Sequence, residues 1–408
     1  MIMHRVQKMV IQLLLIWPLS HAAVQSDWRG PRRDGHFPES NLAQKWPKTG
    51  PKVHWQASGL GKGFTSAAVT ENRVFITGQK SQNGFLFAFD LDGKSLWQVK
   101  YGEEWTANYE GTRSTPIVAD DSIYFLSGRG VIYCLSVRNG ELIWQVDILK
   151  RFKAPAVDWG IAEQLLVEGD FIYCTPGGAV TMAALNRHNG KTIWTCQGNG
   201  EPSAYCSPIL VAHHGTRLLI TLLQKSAVGI DAANGKLLWR YPHEAPYDIH
   251  ANTPIYADGR VYIQSGEGGT GVLINIAPDA KQVSKVWEQR QMDTLIGHAV
   301  LVNGYLYGAG FPDRGFQALN WQTGLSEFEE PEFARSAVIC ADGLIYAYSE
   351  KGTFALIKPN PKQFDLISSF KISAGDGPHW AHPVIKDRRL YLRHGDELIV
   401  FDVSSKTP

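Results

Sequence analysis

The chain is poor in cysteine: five among 408 residues (Cys134, Cys174, Cys196, Cys206 and Cys340), with no adjacent pair and no C-x-x-C spacing. That excludes a covalent haem attachment and a four-thiolate zinc centre. Five thiols cannot all pair within one chain. A Cys196–Cys206 bond across a Gly/Pro loop stands against a reading of all five as small buried strand residues. Neither sign of charge dominates: the formal net charge is +1 and no long run of like charges occurs, which argues against a general nucleic-acid binder. H-E-x-x-H, G-x-S-x-G and Walker-type loops are absent. Beyond the N-terminus no window approaches the ~18 apolar residues of a membrane-spanning helix.

The N-terminus reads as an export signal over residues 1–22. Arg5 and Lys8 precede the short apolar stretch MVIQLLLIWPL, and Ser20-His21-Ala22 presents small residues at a cleavage site. No cysteine precedes Cys134, so the reading expects no lipid-modified N-terminal cysteine. Residues 23–52 follow as an N-terminal strap rich in Pro, Gly and charge. A basic docking arm built on Arg29, Arg32 and Arg33 is the alternative.

A strong repeat begins soon after. FAFDLDGKSLWQV, YCLSVRNGELIWQV, AALNRHNGKTIWTC and VGIDAANGKLLWRY each read as strand, tight turn, strand, with Trp four residues after the turn glycine. Two further short strands precede each copy, such as STPIVAD and SIYFLSG. The unit therefore has four strands, A to D. Its anchors are Trp97, Trp144, Trp194 and Trp239, continued by Trp287, Phe328 and Phe370, at spacings of 41 to 50 residues. Four-stranded units of that length are blades of a β-propeller. The last unit has strands A to C and then the chain ends, whereas GPKVHWQASG near the start is a D-type strand without a blade. Pairing the two closes the ring and removes an open sheet edge. Trp55 becomes the eighth anchor. The expected fold is all-β, an eight-bladed propeller over residues 53–408. The anchors are read as core packing, because an indole per blade cements it to the next.

The unit D-x-x-x-G-K-x-x-W resembles the repeat of the pyrroloquinoline quinone (PQQ)-type propellers, which include quinoprotein dehydrogenases and the assembly lipoprotein BamB. The segments DWRGPRRDG, DWGIAEQLLVEGDFIYCTPGG, AYCSP and WAHPVI resemble exported PQQ-like repeat proteins of planctomycete and verrucomicrobial type. The resemblance implies the ring; the same ring hosts enzymes and scaffolds. Quinoprotein dehydrogenases carry an adjacent-cysteine ring and a calcium site, and this sequence has no Cys-Cys pair.

Candidate binding residues lie where strand D leads into the next strand A: Thr65, Arg113, Trp159, Tyr205, His250, Asn252, His298, Arg335, His379 and Trp380. Together they predict a cationic and aromatic ring at one channel mouth, with few carboxylates, suited to an anion or a planar group. The bland reading is that they satisfy one another. The nearest oxygen donors for calcium are Asp158, Glu163, Asp248 and Asn252. Two long loops, Tyr101–Arg113 and Asp147–Ala162, should lie side by side and carry Trp105, Tyr109, Phe152 and Trp159, as an interface or as a cap on the core. GEGGTG at 266–271 is followed by a strand and is read as a hairpin turn, and His213-His214 as a solvated one.

These residues favour a noncatalytic binding or assembly scaffold of the cell envelope. It would engage an envelope protein or a small anionic ligand, as a monomer without cofactor, metal, nucleic acid, membrane span or lipid anchor. The alternative is a PQQ- and calcium-dependent dehydrogenase of alcohols or sugars, with Asp158 or Asp248 as base. A carbohydrate-binding propeller using the loop aromatics is a third reading.

Overall fold

Each copy of the repeat folds into one antiparallel sheet, and the eight sheets form the eight blades of a propeller. The computed structural model describes residues 26–405 except 294, 296, 312 and 313, so the export-signal reading lies outside the described residues. Among the described residues no helix is long and apolar enough to cross a membrane.

The motif has a steric cause. The turn between strands C and D ends in a glycine at positive φ, as at Gly93, Gly140, Gly190, Gly235 and Gly324. The anchor of the preceding blade lies flat against that glycine. A Cβ on Gly93 would sit 2.6 Å from the Trp55 ring, and one on Gly190 would sit 2.8 Å from Trp144. At three junctions the indole N–H also donates to a carbonyl of the same turn: Trp55 to Leu91 at 2.8 Å, Trp144 to Arg187 at 2.9 Å, Trp287 to Trp321 at 2.9 Å. Gly and Trp are thus two halves of one contact between neighbouring blades.

Closure follows the expectation. Lys52–Ala57 pairs antiparallel with Glu397–Asp402 as the outer strand of blade 8. Its register shifts between Val53 and Trp55, a bulge that recurs in the C–D pair of the other blades, for example between Leu142 and Trp144. The N-terminal strand therefore belongs to the same repeating unit.

Between residue 26 and this strand the chain does two things. Residues 26–37 occupy the channel axis. His36–Phe37 adds as a fifth strand, parallel to the innermost strand of blade 7, Ser336–Ala341. The chain then leaves past the A–B turns of blades 7 and 8, where Glu39 accepts from the Asp387 and Arg388 amides and Asp342 accepts from Leu42 N–H. It runs outward between these blades, with Trp46 packed among Tyr346, Phe354 and Phe370.

Arg29 and Arg33 are buried on the axis, unlike the side chains of a docking arm; Arg32 alone of the three is exposed. Arg33 pairs with Asp27 (Nε–Oδ2 2.6 Å) and donates to Leu165 O (2.5 Å), Pro208 O (2.8 Å) and Gln164 Oε1 (3.0 Å). Arg29 donates to Ala299 O at 2.9 Å, and burial pulls its pKa down to about 10. One short segment is thereby tied to blades 3, 4, 6 and 7.

All five cysteines are buried and free, so the Cys196–Cys206 bond is not formed. Burial pushes the thiols up, to about 11 for Cys134, Cys196 and Cys340 and about 12 for Cys206. Gly266–Gly271 joins Arg260–Gln264 to Gly271–Ile276 as a hairpin connection. His213 departs from the solvated reading: it is buried, hydrogen-bonded with Tyr256 Oη (2.9 Å) and Ala277 O (2.8 Å) of blade 5, and only His214 is exposed.

Candidate functional site

The D–A loops converge at one mouth, and their aromatics meet there. Phe64 packs on Trp380 (5.1 Å between centroids), Trp380 on Tyr109 (4.9 Å) and Tyr109 on Trp159 (5.9 Å). The arc draws on loops entering blades 1, 2, 3 and 8. Tyr109 is 56% exposed, with φ at +52°, at the tip of the Tyr101–Arg113 loop. Arg113 holds that loop from below, donating to the carbonyls of Asn108, Tyr109 and Gly111 and lying 5.7 Å from the Trp105 ring. The loop thus folds on itself yet leaves its tyrosine outward. The second long loop begins with a one-turn helix, Ile148–Phe152, capped by Asp147.

Beside the arc, Glu350 accepts from Trp380 Nε1 (2.6 Å) and from Arg335 (2.9 Å), whose guanidinium also lies over Phe311. His379 is hydrogen-bonded with Tyr348 Oη and stacked on His394 at 3.6 Å; burial, then His394, lowers its pKa to about 4. Below the arc, Trp28 from the axial segment stands edge-on to His298 (5.0 Å) and His382 (4.6 Å), themselves linked at 3.1 Å.

Like His298, four more of the sequence candidates sit deeper than the mouth. Thr65 is buried and receives Arg393 Nη1 at 2.7 Å. Tyr205 closes a cavity of about 10 Å³ beside Glu163 and Cys206, room for about one water. Asn252 accepts from the His298 amide at 2.9 Å. His250 is fully buried between blades 4 and 5 and donates from Nε2 to Gln224 O (2.9 Å). Its Nδ1 then accepts a hydrogen bond from the Ser265 hydroxyl (2.5 Å), and Ser265 Oγ in turn accepts from His243 Nε2–H (2.7 Å). Both imidazoles are therefore fixed in neutral tautomers. Burial lowers their pKa values, to about 4 for His250 and about 3 for His243.

The sequence reading expected few carboxylates here and missed a recurrent device. Glu104 accepts from the Gly128 amide (2.9 Å), Glu163 from Thr175 (2.8 Å), Glu201 from Lys225 (2.5 Å) and Asp293 from Phe311 (2.7 Å). Each carboxylate from a D–A connection thus holds the B–C turn of the blade it leads into. Only the position, just past an outer strand and before an inner one, could have signalled it.

These groups set a pH response. Burial raises the Glu163 carboxyl to about 7, above its ordinary 4.5. Folded protein takes up this proton near pH 7 and unfolded chain near 4.5, so the contribution is full below 4.5 and is lost as pH rises through 7. His243 and His250 act oppositely, losing stability as pH falls below 6.5. Glu163→Gln should therefore lose more thermal midpoint than the wild type on going from pH 7.5 to 5. Equal losses in matched scans would contradict this.

The PQQ and calcium of the alternative reading do not fit these residues. At the aromatic end Trp28 stands on the axis against His298 and His382, and all five cysteines are free. Glu163 is spent on Thr175, Asp248 pairs with Lys225 at 2.6 Å, Asn252 holds His298, and Asp158 is exposed. Among the described residues no group of three or more His, Cys, Asp or Glu could hold a metal ion.

An open cavity lies at the opposite mouth, on the side of the A–B turns. A cavity of about 350 Å³ is walled by Ile117, Leu166, Val167, Leu210, Val211 and Ala212 from the inner strands of blades 2, 3 and 4. Asp27, Pro31, Arg32, Arg33, Glu168 and Arg217 complete it. None of the D–A candidates lines it.

A family model described as outer membrane protein assembly factor BamB matches residues 41–158 and 82–328. The BamB of Kangiella koreensis is 28% identical over 218 residues, 52% of this chain and 50% of that protein. The chain thus spans about half the length of that curated relative. Two solved structures share the fold. BamB from Moraxella catarrhalis has a TM-score of 0.63 at 14% identity, covering 86% of this chain and 99% of that one. The quinohemoprotein alcohol dehydrogenase from Comamonas testosteroni has a TM-score of 0.66 at 12% identity, covering 95% and 82%.

Proposed function

The chain belongs to the family of the outer membrane protein assembly factor BamB, and from that membership we propose that it is a noncatalytic binding scaffold of the cell envelope, engaging a partner protein through its D–A loops. The observation that carries this reading is the aromatic arc of Phe64, Trp380, Tyr109 and Trp159, with Trp28 standing on the axis beneath it. It offers a rigid surface with an outward tyrosine rather than a pocket. Aromatic side chains of this kind carry much of the energy of protein interfaces. Arg335 and Glu350 beside the arc supply a polar rim. An anionic ligand at the same mouth is the narrower form of the reading, with Arg113 and Arg335 as its contacts.

The test is site-specific crosslinking in envelope extracts, with a photoreactive side chain at position 109 and, as control, at Leu325 on the far outer edge of blade 6. One discrete adduct at 109, absent at 325 and lost in Trp159→Ala/Trp380→Ala, is the expected result. Truncating two central aromatics should weaken binding about 30-fold or more. Identical adducts from both positions, or none from 109, would remove the D–A mouth as the interface.

A further inference from the structure

We propose that the cavity at the A–B mouth is a binding site for a small organic carboxylate with an apolar body. This site is separate from the aromatic mouth. Two classes of group line it. The inner strands Ile117–Ala119, Leu166–Glu168 and Ile209–His213 contribute Ile117, Leu166, Val167, Leu210 and Val211, an apolar wall spread over three adjacent blades. Its volume of about 350 Å³ lies at the lower end of the ~300–1,000 Å³ common for small-molecule sites.

The charged side chains of the rim decide what such a body would carry. Arg32 side chain is 73% exposed and uses only Nε, on Asp34 at 2.9 Å; Arg217 is 50% exposed and uses only Nη2, on Glu168 at 2.9 Å. Among the described residues the other guanidinium N–H groups of both have no acceptor, and both side chains line the one cavity. A guanidinium with a free edge matches a carboxylate in two parallel hydrogen bonds. The two acids present are already engaged: Asp27 with Arg33 at 2.6 Å and Glu168 with Arg217. An incoming carboxylate therefore meets unspent donors.

Backbone geometry adds a polar surface behind the apolar wall. Each of these inner strands has a neighbour in its own sheet on one side only, so its other edge faces the channel. At blade 7 that edge is covered by His36–Phe37. Among the described residues blades 2 to 4 carry no such added strand, although the Val118 amide of blade 2 donates to Ser26 Oγ at 3.1 Å, and the cavity lies there.

The test is calorimetric titration of the full chain with 4-phenylbutyrate as the probe and 4-phenylbutanol as the uncharged control. Saturable binding of the acid, at least tenfold tighter than the alcohol, is expected. Arg32→Gln and Arg217→Gln should each weaken the acid about tenfold and leave the alcohol and the thermal midpoint unchanged. Val211→Phe, filling the wall, should weaken both ligands alike. Trp380→Ala, at the other mouth, should change neither, which separates this site from the scaffold reading. Equal affinity for acid and alcohol, unchanged acid binding in both arginine variants, or no acid binding at millimolar concentration would each overturn the proposal.

Discussion

Replacing Arg33 with methionine should lower the unfolding free energy by about 3–5 kcal/mol, the cost typical of breaking a buried ion pair by removing one partner. The argument rests on what this guanidinium touches. Its three nitrogens reach Asp27, Gln164 and the carbonyls of Leu165 and Pro208, all away from solvent. Methionine restores some volume but none of the donors, so two backbone carbonyls and a carboxylate lose their partner together. Lysine fares little better, because one ammonium cannot span a carboxylate and two blades as a planar fork does. Asp27 supplies an internal control. Burial already raises its pKa, with Arg33 the chief opposing influence. Without Arg33 the carboxyl holds its proton to higher pH, so the deficit should shrink as pH falls. Asp27→Asn/Arg33→Met should likewise recover part of the loss. Urea unfolding followed by tryptophan fluorescence measures all three. A loss under about 1 kcal/mol in Arg33→Met would mean that the axial segment rests on the ring without holding it.

The ring was legible in the sequence because one contact repeats. A glycine free of Cβ and a tryptophan four residues later recur as Gly93/Trp97, Gly140/Trp144, Gly190/Trp194 and Gly235/Trp239, and the remaining blades keep the position while its parts drift. Ala280 stands in the blade 5 turn with φ at +57°, and Phe328 and Phe370 replace tryptophan. The strand around Trp55 was assignable because it has the sequence of an outer strand and lacks neighbours to pair with. The channel was not legible in the same way. Side chains entering an axis have no period, and His250 turns into the ring because Gln224 O and Ser265, distant in sequence, meet its two nitrogens. Burying Arg29 and Arg33 runs against composition: arginine is ordinarily outside unless paired. Its acceptors here, Ala299, Leu165 and Pro208, are more than 130 residues away. The A–B cavity escaped notice for a related reason. It forms where inner strands of three blades meet a segment from the chain's start, and no local pattern encodes that meeting.

Trp55→Ala should cost about 3–5 kcal/mol, as large-to-small changes of buried aromatics do, and should differ in kind from the same change at Trp144. Both indoles donate to a turn carbonyl of the next blade and both lie under a turn glycine. Trp144, however, joins blades that are consecutive in sequence, and the chain keeps them adjacent when the contact weakens. Trp55 joins blade 8 to blade 1 through a strand whose partner, Glu397–Asp402, lies at the opposite end of the chain. Its ring packs on Phe89 of blade 1 at 5.8 Å and on Tyr391 of blade 8 at 6.4 Å. Losing it loosens the strand that completes blade 8 from the N-terminal side and exposes the edge of that blade. The variant should therefore unfold in urea with a smaller m-value, because strand 52–57 and its neighbours open before the rest. Limited proteolysis should cut first between residues 39 and 60. Trp144→Ala should instead lower the midpoint at constant m. If the two variants shift alike and are cut alike, closure is one junction among eight; if they differ as expected, the fold's cooperativity depends on its shared blade.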